Sequence, residues 1–166
     1  MALRGQLTPR IAAFGRAAFG HEFTQRDLRL IPYLHSVIVN GGVIDMRKLN
    51  KDEWERLLQW EDAGLLTIVG DSITRVTPRL WMAINHLLWL GYATHKMWDA
   101  EAPAWELPEL AAWVDCLDVA NVPQVHEALG NFSEDSTEDN AVALIQRVLG
   151  AVGHKIPQDQ EKSNDQ

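Results

Sequence analysis

Cysteine is almost missing from this chain, with Cys116 alone among 166 residues. One thiol closes no intrachain disulfide and builds no cysteine cluster around a metal, and such sparse use fits a reducing, cytoplasmic setting. The flanking Asp115 and Asp118 would raise its pKa, so Cys116 reads as a buried structural cysteine. Long apolar runs are missing as well. None approaches the ~18–20 residues that a membrane-spanning helix needs, which excludes a transmembrane segment. The first residues carry Arg4 and Arg10 without an apolar signal core, so no secretion is expected. Basic residues are few. Fifteen Lys and Arg against 23 Asp and Glu leave a net charge of −8, and tight nonspecific binding to polyanions needs the opposite balance. No His-Glu-x-x-His, Cys-x-x-Cys, Gly-x-Ser-x-Gly or glycine-rich phosphate loop occurs. The six histidines are scattered, and His86 and His95 lie too far apart on one helix to share a metal. The expectation is no enzyme, with no catalytic residue, metal or cofactor.

What is present is the composition of a globular domain, 46% hydrophobic and 23% charged. Charge is divided unevenly along it. Residues 1–96 hold twelve Lys and Arg against nine acids, and residues 97–166 hold three against fourteen. The split suggests a mildly basic domain over 1–96, an acidic helical extension packed on it over 97–153, and a disordered tail over 154–166.

Turn and cap residues mark out the elements. Thr8-Pro9 opens a helix that Gly20 ends, and Thr24 with Asp27 starts a second that stops at Asn40-Gly41-Gly42. A short apolar stretch, 43–46, follows. Asn50 caps a helix over 51–63 that Gly64 ends. Gly70-Asp71 between two β-prone runs predicts a hairpin over 65–76, which the 43–46 stretch can join. Thr77-Pro78 opens a long helix to about 95 whose apolar residues go most of the way round, as in a helix buried between two layers. Further helices are expected near 108–117, from 121 to 130, and from 136 or 137 until Gly153 breaks the last one. The 131–140 stretch reads as a polar loop. The fold class is mainly α with one small β-hairpin.

The order helix, short strand, helix, hairpin, helix over 24–93 resembles a winged-helix domain. The likeness rests on the run 54–66 that ends at Ala63-Gly64, the two strands 67–76, and the Thr77-Pro78-Arg79 step. The chain also resembles small proteins of bacteriophages and other mobile elements. The winged-helix resemblance implies that helix 51–62 enters a DNA groove, with Arg75 and Arg79 as possible nucleic-acid contacts. That helix, however, sets Lys51 and Arg56 against Asp52, Glu53, Glu55, Glu61 and Asp62. Phosphates repel a surface of net −3, so DNA binding is expected to be weak or absent.

Seven tryptophans stand out. Trp54, Trp81 and Trp113 fit core stripes, whereas Trp89 lies opposite Ile84 and Leu87, and Trp98 and Trp105 flank a Pro-containing linker. With Trp54, Leu57 and Leu58 setting the core side of helix 51–62, Trp60 points outward. An exposed ring among charges has the look of an interface anchor. Trp60, with Glu53, Arg56 and Asp62 around it, is therefore the candidate partner-binding surface, for another protein or a second copy of the chain. The reading is a noncatalytic interaction module, an adaptor, regulator or inhibitor. The alternatives are a DNA-binding regulator of winged-helix type and an enzyme with an unrecognised site.

Overall fold

The structure, a computed structural model, describes residues 4–93 and 107–161, without the side chains of 108 and 153–161. Trp98, Trp105, His95 and the last five residues of the expected tail lie outside the described residues. The fold is mainly α with one two-stranded antiparallel hairpin. Its elements are α1 (Pro9–Phe19), α2 (Gln25–Val39), α3 (Lys51–Asp62), β1 (Leu66–Val69), β2 (Ser72–Val76), α4 (Pro78–Tyr92), α5 (Leu107–Cys116), α6 (Pro123–Glu134) and α7 (Glu138–Glu161).

The caps are those the sequence announces. The Ile11 amide donates to Thr8 Oγ1 at 3.3 Å, and Gly20 takes φ 76° at the end of α1. Thr24 and Asp27 form a reciprocal capping box on α2, as Asn50 and Glu53 do on α3. In the hairpin Ile68 faces Ile73 and Val69 faces Ser72. Val43 makes a single bridge to Ser72, so the 43–46 stretch does join. Gly42 is needed there, since a β-carbon would sit 2.3 Å from the Ile73 carbonyl oxygen.

Helix α1 is the centre. Eight of its eleven residues are buried, because alanines and Gly15 let neighbours come close on several sides. It packs against α4 and α7, and α4 also packs against α2 and α7. One core runs from Ile11 to Val152, so the acidic helices share the core of the N-terminal part. Helix α4 departs from the expectation of all-round burial: Trp81 and Trp89 are exposed while Leu80, Ile84 and Leu87 point inward. Helix α6 runs past Gly130 to Glu134, because Phe132 continues the buried stripe of Val125 and Ala128 at helical spacing. The expected 131–140 loop shrinks to 135–137, with Thr137 Oγ1 accepting from the Asn140 amide. Helix α7 passes through Gly153 to Glu161, so the segment expected to be a disordered tail begins as helix. Cys116 is exposed rather than buried, since Leu110 and Val114 set the inner face of α5 and Cys116 falls on the opposite side.

Pro32 lies inside α2. Having no N–H, it cannot bond the Leu28 carbonyl one turn earlier. The Tyr92 hydroxyl, from the end of α4, donates to that oxygen at 3.2 Å. Burial pushes the Tyr92 pKa up, against the opposing effect of Arg29 and Arg4, so the phenol stays a donor. Tyr92→Phe should cost ~1 kcal/mol of unfolding free energy in the wild-type chain and clearly less in a Pro32→Ala background, where α2 supplies its own donor. A denaturant-unfolding double-mutant cycle measures the coupling; equal losses in both backgrounds would show that Tyr92 serves another purpose.

Candidate interaction surface

Trp60 is fully buried, which corrects its expected role as an exposed anchor. On α3, Leu57 and Trp60 are three residues apart and so are neighbours on one face. That pair sets the inner side, while Trp54 and Leu58 sit half-buried at its edges. The Trp60 ring stacks on Phe19 with centroids 4.3 Å apart, and Phe19 stacks in turn on Phe23. Its indole Nε1–H donates to His21 Nε2 at 2.9 Å. His21 Nδ1 lies 2.7 Å from the Glu22 carbonyl oxygen. The Arg56 guanidinium also approaches His21 Nδ1, at 3.5 Å.

The residues expected around Trp60 also have other work. Glu53 accepts from the Asn50 amide as part of the α3 cap. The Arg56 guanidinium pairs with buried Asp27 at 2.7 Å and donates to Gln59 Oε1, tying α3 to the start of α2. Asp62 is exposed, at the last turn of α3. Its neighbours on the outer face are Asp52, Glu55 and Gln59, an acidic stripe without an aromatic residue. The two possible nucleic-acid contacts are not brought together either. Arg75 is exposed on the outer face of the hairpin. Arg79 turns inward and donates to the Ala17 carbonyl near the end of α1 at 3.0 Å, and burial pushes its pKa down. The remaining arginines are largely committed within the chain. Arg10 pairs with Glu109, Arg16 with Glu138 and Asp139, and Arg26 with Asp52. Part of the charge asymmetry is thus spent on docking the acidic helices against α1.

The apolar surface lies elsewhere. Six large hydrophobic residues among those described are strongly exposed: Val39, Val43, Met46, Val69, Trp81 and Trp89. Five of them lie on the hairpin, the 43–46 stretch that joins it, and the ends of α2 and α4 that adjoin the sheet. Helices α2 and α4 run antiparallel, with Leu28 against Tyr92 at one end and His35 stacked on Trp81 at the other, centroids 5.3 Å apart. Val39 is one turn beyond His35. Val43 and Val69 flank Ser72 from either side and share its outward face, because residues opposite one another in antiparallel strands point the same way. Each of these two valines is 62% exposed. Ile44, Ile68 and Ile73 point the other way, into the core or against it. The alternation Thr67-Ile68-Val69 carries this signal, since burying Ile68 puts Val69 outside. The sheet edges here are closed to strand pairing at specific groups. Glu61 Oε1 accepts from the Ile68 amide at 2.8 Å, and the Tyr33 hydroxyl accepts from the Asp45 amide at 3.0 Å. Met46 follows Asp45 in a single 3₁₀ turn.

Two concavities elsewhere are small and lined mostly by polar and charged residues. One, between α6 and α7, is lined by Glu127, Asn131, Asn140 and Arg147. The other surrounds the Arg56–Asp27 pair. Among the described residues no group of three His, Cys, Asp or Glu could hold a metal, and no helix is long and apolar enough to cross a membrane. Set against family models, curated proteins and solved structures, the chain finds no match.

His86 on α4 lies among Phe14, Trp89 and Trp113, with centroid separations of 4.6, 5.7 and 5.4 Å. Burial pulls its pKa down to about 4. The unfolded chain therefore binds a proton at His86 that the folded chain refuses between pH ~6.5 and ~4. Its contribution is present above pH ~6.5 and is lost as pH falls, reaching ~3 kcal/mol near pH 4. Stability profiles of wild type and His86→Leu should diverge by that amount in this window. Parallel profiles would contradict the assignment.

Proposed function

We propose that the chain is a noncatalytic protein-interaction module, acting as an adaptor, regulator or inhibitor, and that it binds through the apolar surface at the hairpin end. The observation that carries this reading is the exposure of Val39, Val43, Met46, Val69 and Trp81 on the hairpin, the stretch that joins it and the adjoining ends of α2 and α4. Exposed apolar side chains are ordinary when scattered, and mark contact surfaces when they collect. Trp81 contributes a large ring already held by its stack on His35, so little side-chain entropy is lost on binding.

The element order from α2 to α4 supports a winged-helix-like arrangement in which the hairpin is the wing. Within it, the outer face of α3 carries Asp52, Glu55 and Asp62, which disfavours a role in the DNA groove. A DNA-binding regulator is the second reading, favoured by the exposed Arg75 on the hairpin face. A cytoplasmic location suits the lone, exposed Cys116 thiol.

The test is a double substitution, Val43→Asp with Val69→Asp, used as bait for partner capture from host lysate beside the wild-type chain. Both residues point into water, so the melting temperature should hold within a few degrees while capture of the wild-type partner falls at least ~10-fold, as a lost apolar contact centre implies. Glu55→Lys with Asp62→Lys on α3 should leave capture intact. Loss of capture through the α3 pair, with the valine pair harmless, would overturn the proposal.

A further inference from the structure

Two polar fastenings of α3 adjoin His21. The first is the bond from the Trp60 indole N–H to His21 Nε2 at 2.9 Å. An indole N–H only donates, so Nε2 carries no proton while that bond stands. The second is the Arg56 guanidinium. Its Nε pairs with the buried Asp27 carboxylate at 2.7 Å, and its Nη1 lies 3.5 Å from His21 Nδ1. His21 belongs to neither neighbouring helix. It sits half-buried in the connection between α1 and α2.

The charges that face this ring are few. From α3 comes Arg56. From α2 comes Asp27, on the far side of that guanidinium, with its second oxygen accepting from the Thr24 amide and hydroxyl at 2.8 and 3.0 Å. The connection supplies Glu22, which is exposed and turns its backbone carbonyl toward Nδ1 at 2.7 Å. Helix α1 brings the uncharged Phe19 ring, with centroids 6.1 Å apart. Among the described residues no carboxylate lies within ion-pair distance of His21.

A proton added to this ring acts on both fastenings at once. Imidazolium carries N–H on both nitrogens, so Nε2 turns from acceptor to donor and opposes the indole donor. Trp60 is fully buried, and a buried donor stripped of its partner is destabilising. The new positive charge also stands beside Arg56, a like charge. The effect reaches the hairpin. The Trp60 carbonyl accepts from the Leu65 amide at 3.0 Å, and Glu61 Oε1 accepts from the Ile68 amide at 2.8 Å, so β1 is tied to α3.

We infer that the His21–Trp60 bond is a pH-sensitive latch. With His21 neutral it holds α3 on the α1–α2 connection, and protonation of His21 loosens α3 together with the start of β1. The latch goes beyond the interaction surface proposed above and does not rest on it.

The experiment follows indole and amide hydrogen exchange of the whole chain at about pH 8 and about pH 5, the interval in which histidine changes charge. Each rate is taken relative to its intrinsic rate at that pH. On acidification the Trp60 indole and the Ile68 amide should lose at least ~10-fold more protection than the α7 amides, the scale of one buried hydrogen bond. Helix α7 is the reference because a global loss, that from His86 included, falls on it as well. The nitrogen shift of His21 Nε2 should pass to its protonated value over the same interval. In His21→Gln, whose side-chain oxygen accepts from the indole without titrating, the extra loss should vanish. In His21→Phe, which has no acceptor, Trp60 protection should already be reduced at least ~10-fold at about pH 8. Equal losses in Trp60 and α7 overturn the inference, as does protonation of His21 with Trp60 protection unchanged. An extra loss retained in His21→Gln also overturns it and assigns the titration to a carboxylate such as Asp27. The two wild-type readings decide the matter should either variant fail to fold.

Discussion

Gly15 and Phe23 touch where no β-carbon would fit. An alanine at 15 would place its Cβ 2.1 Å from the Phe23 ring. This approach lets the chain leave α1, turn at Gly20 and fold Phe23 back over the helix. Phe23 then stacks on Phe19, and Phe19 stacks on Trp60. The position of α3 follows from that aromatic column, and the Arg56–Asp27 pair fixes its rotation. On its other sides α1 takes α4 and α7. With four alanines and one glycine among its eleven residues, α1 accommodates so many neighbours because small side chains leave room for backbones and rings to come close.

This arrangement decides what is left for partners. Trp60, the most prominent aromatic of α3, is spent on the core, and Glu53 and Arg56 are spent on holding the helix in place. The α1 arginines are taken up by Glu109, Glu138 and Asp139. The hairpin end is the region where apolar groups face outward without such internal use. At its edges the Ile68 and Asp45 amides are taken by Glu61 and Tyr33.

Local signals in the sequence were legible wherever one residue type has one job. Thr8, Thr24, Asn50 and Thr77 each cap the helix they precede, and Gly64 and Gly70 mark turns with positive φ. The candidate surface was not legible, because facing depends on the rotation of a helix about its axis. Leu58 and Leu57 pull the inferred core side of α3 in different directions, and the structure resolves the conflict through Phe19 and His21, forty residues earlier in the chain. Gly130 and Gly153 read as stops, yet the apolar stripe around Phe132 carries α6 past the first, and α7 continues past the second. Exposure of Val69 could have been read from strand alternation. Exposure of Val39 and Trp81 required knowing that α2 and α4 lie antiparallel.

One core, organised on α1, joins the N-terminal elements to the acidic helices. The most direct measurement is amide hydrogen exchange on Gly15→Ala, a substitution that overfills the α1–Phe23 contact. Protection should fall by at least ~2 kcal/mol, together in α3 and in α7. Protection lost in α3 alone, with α7 unchanged, would mean that α1 does not join the two parts in one core.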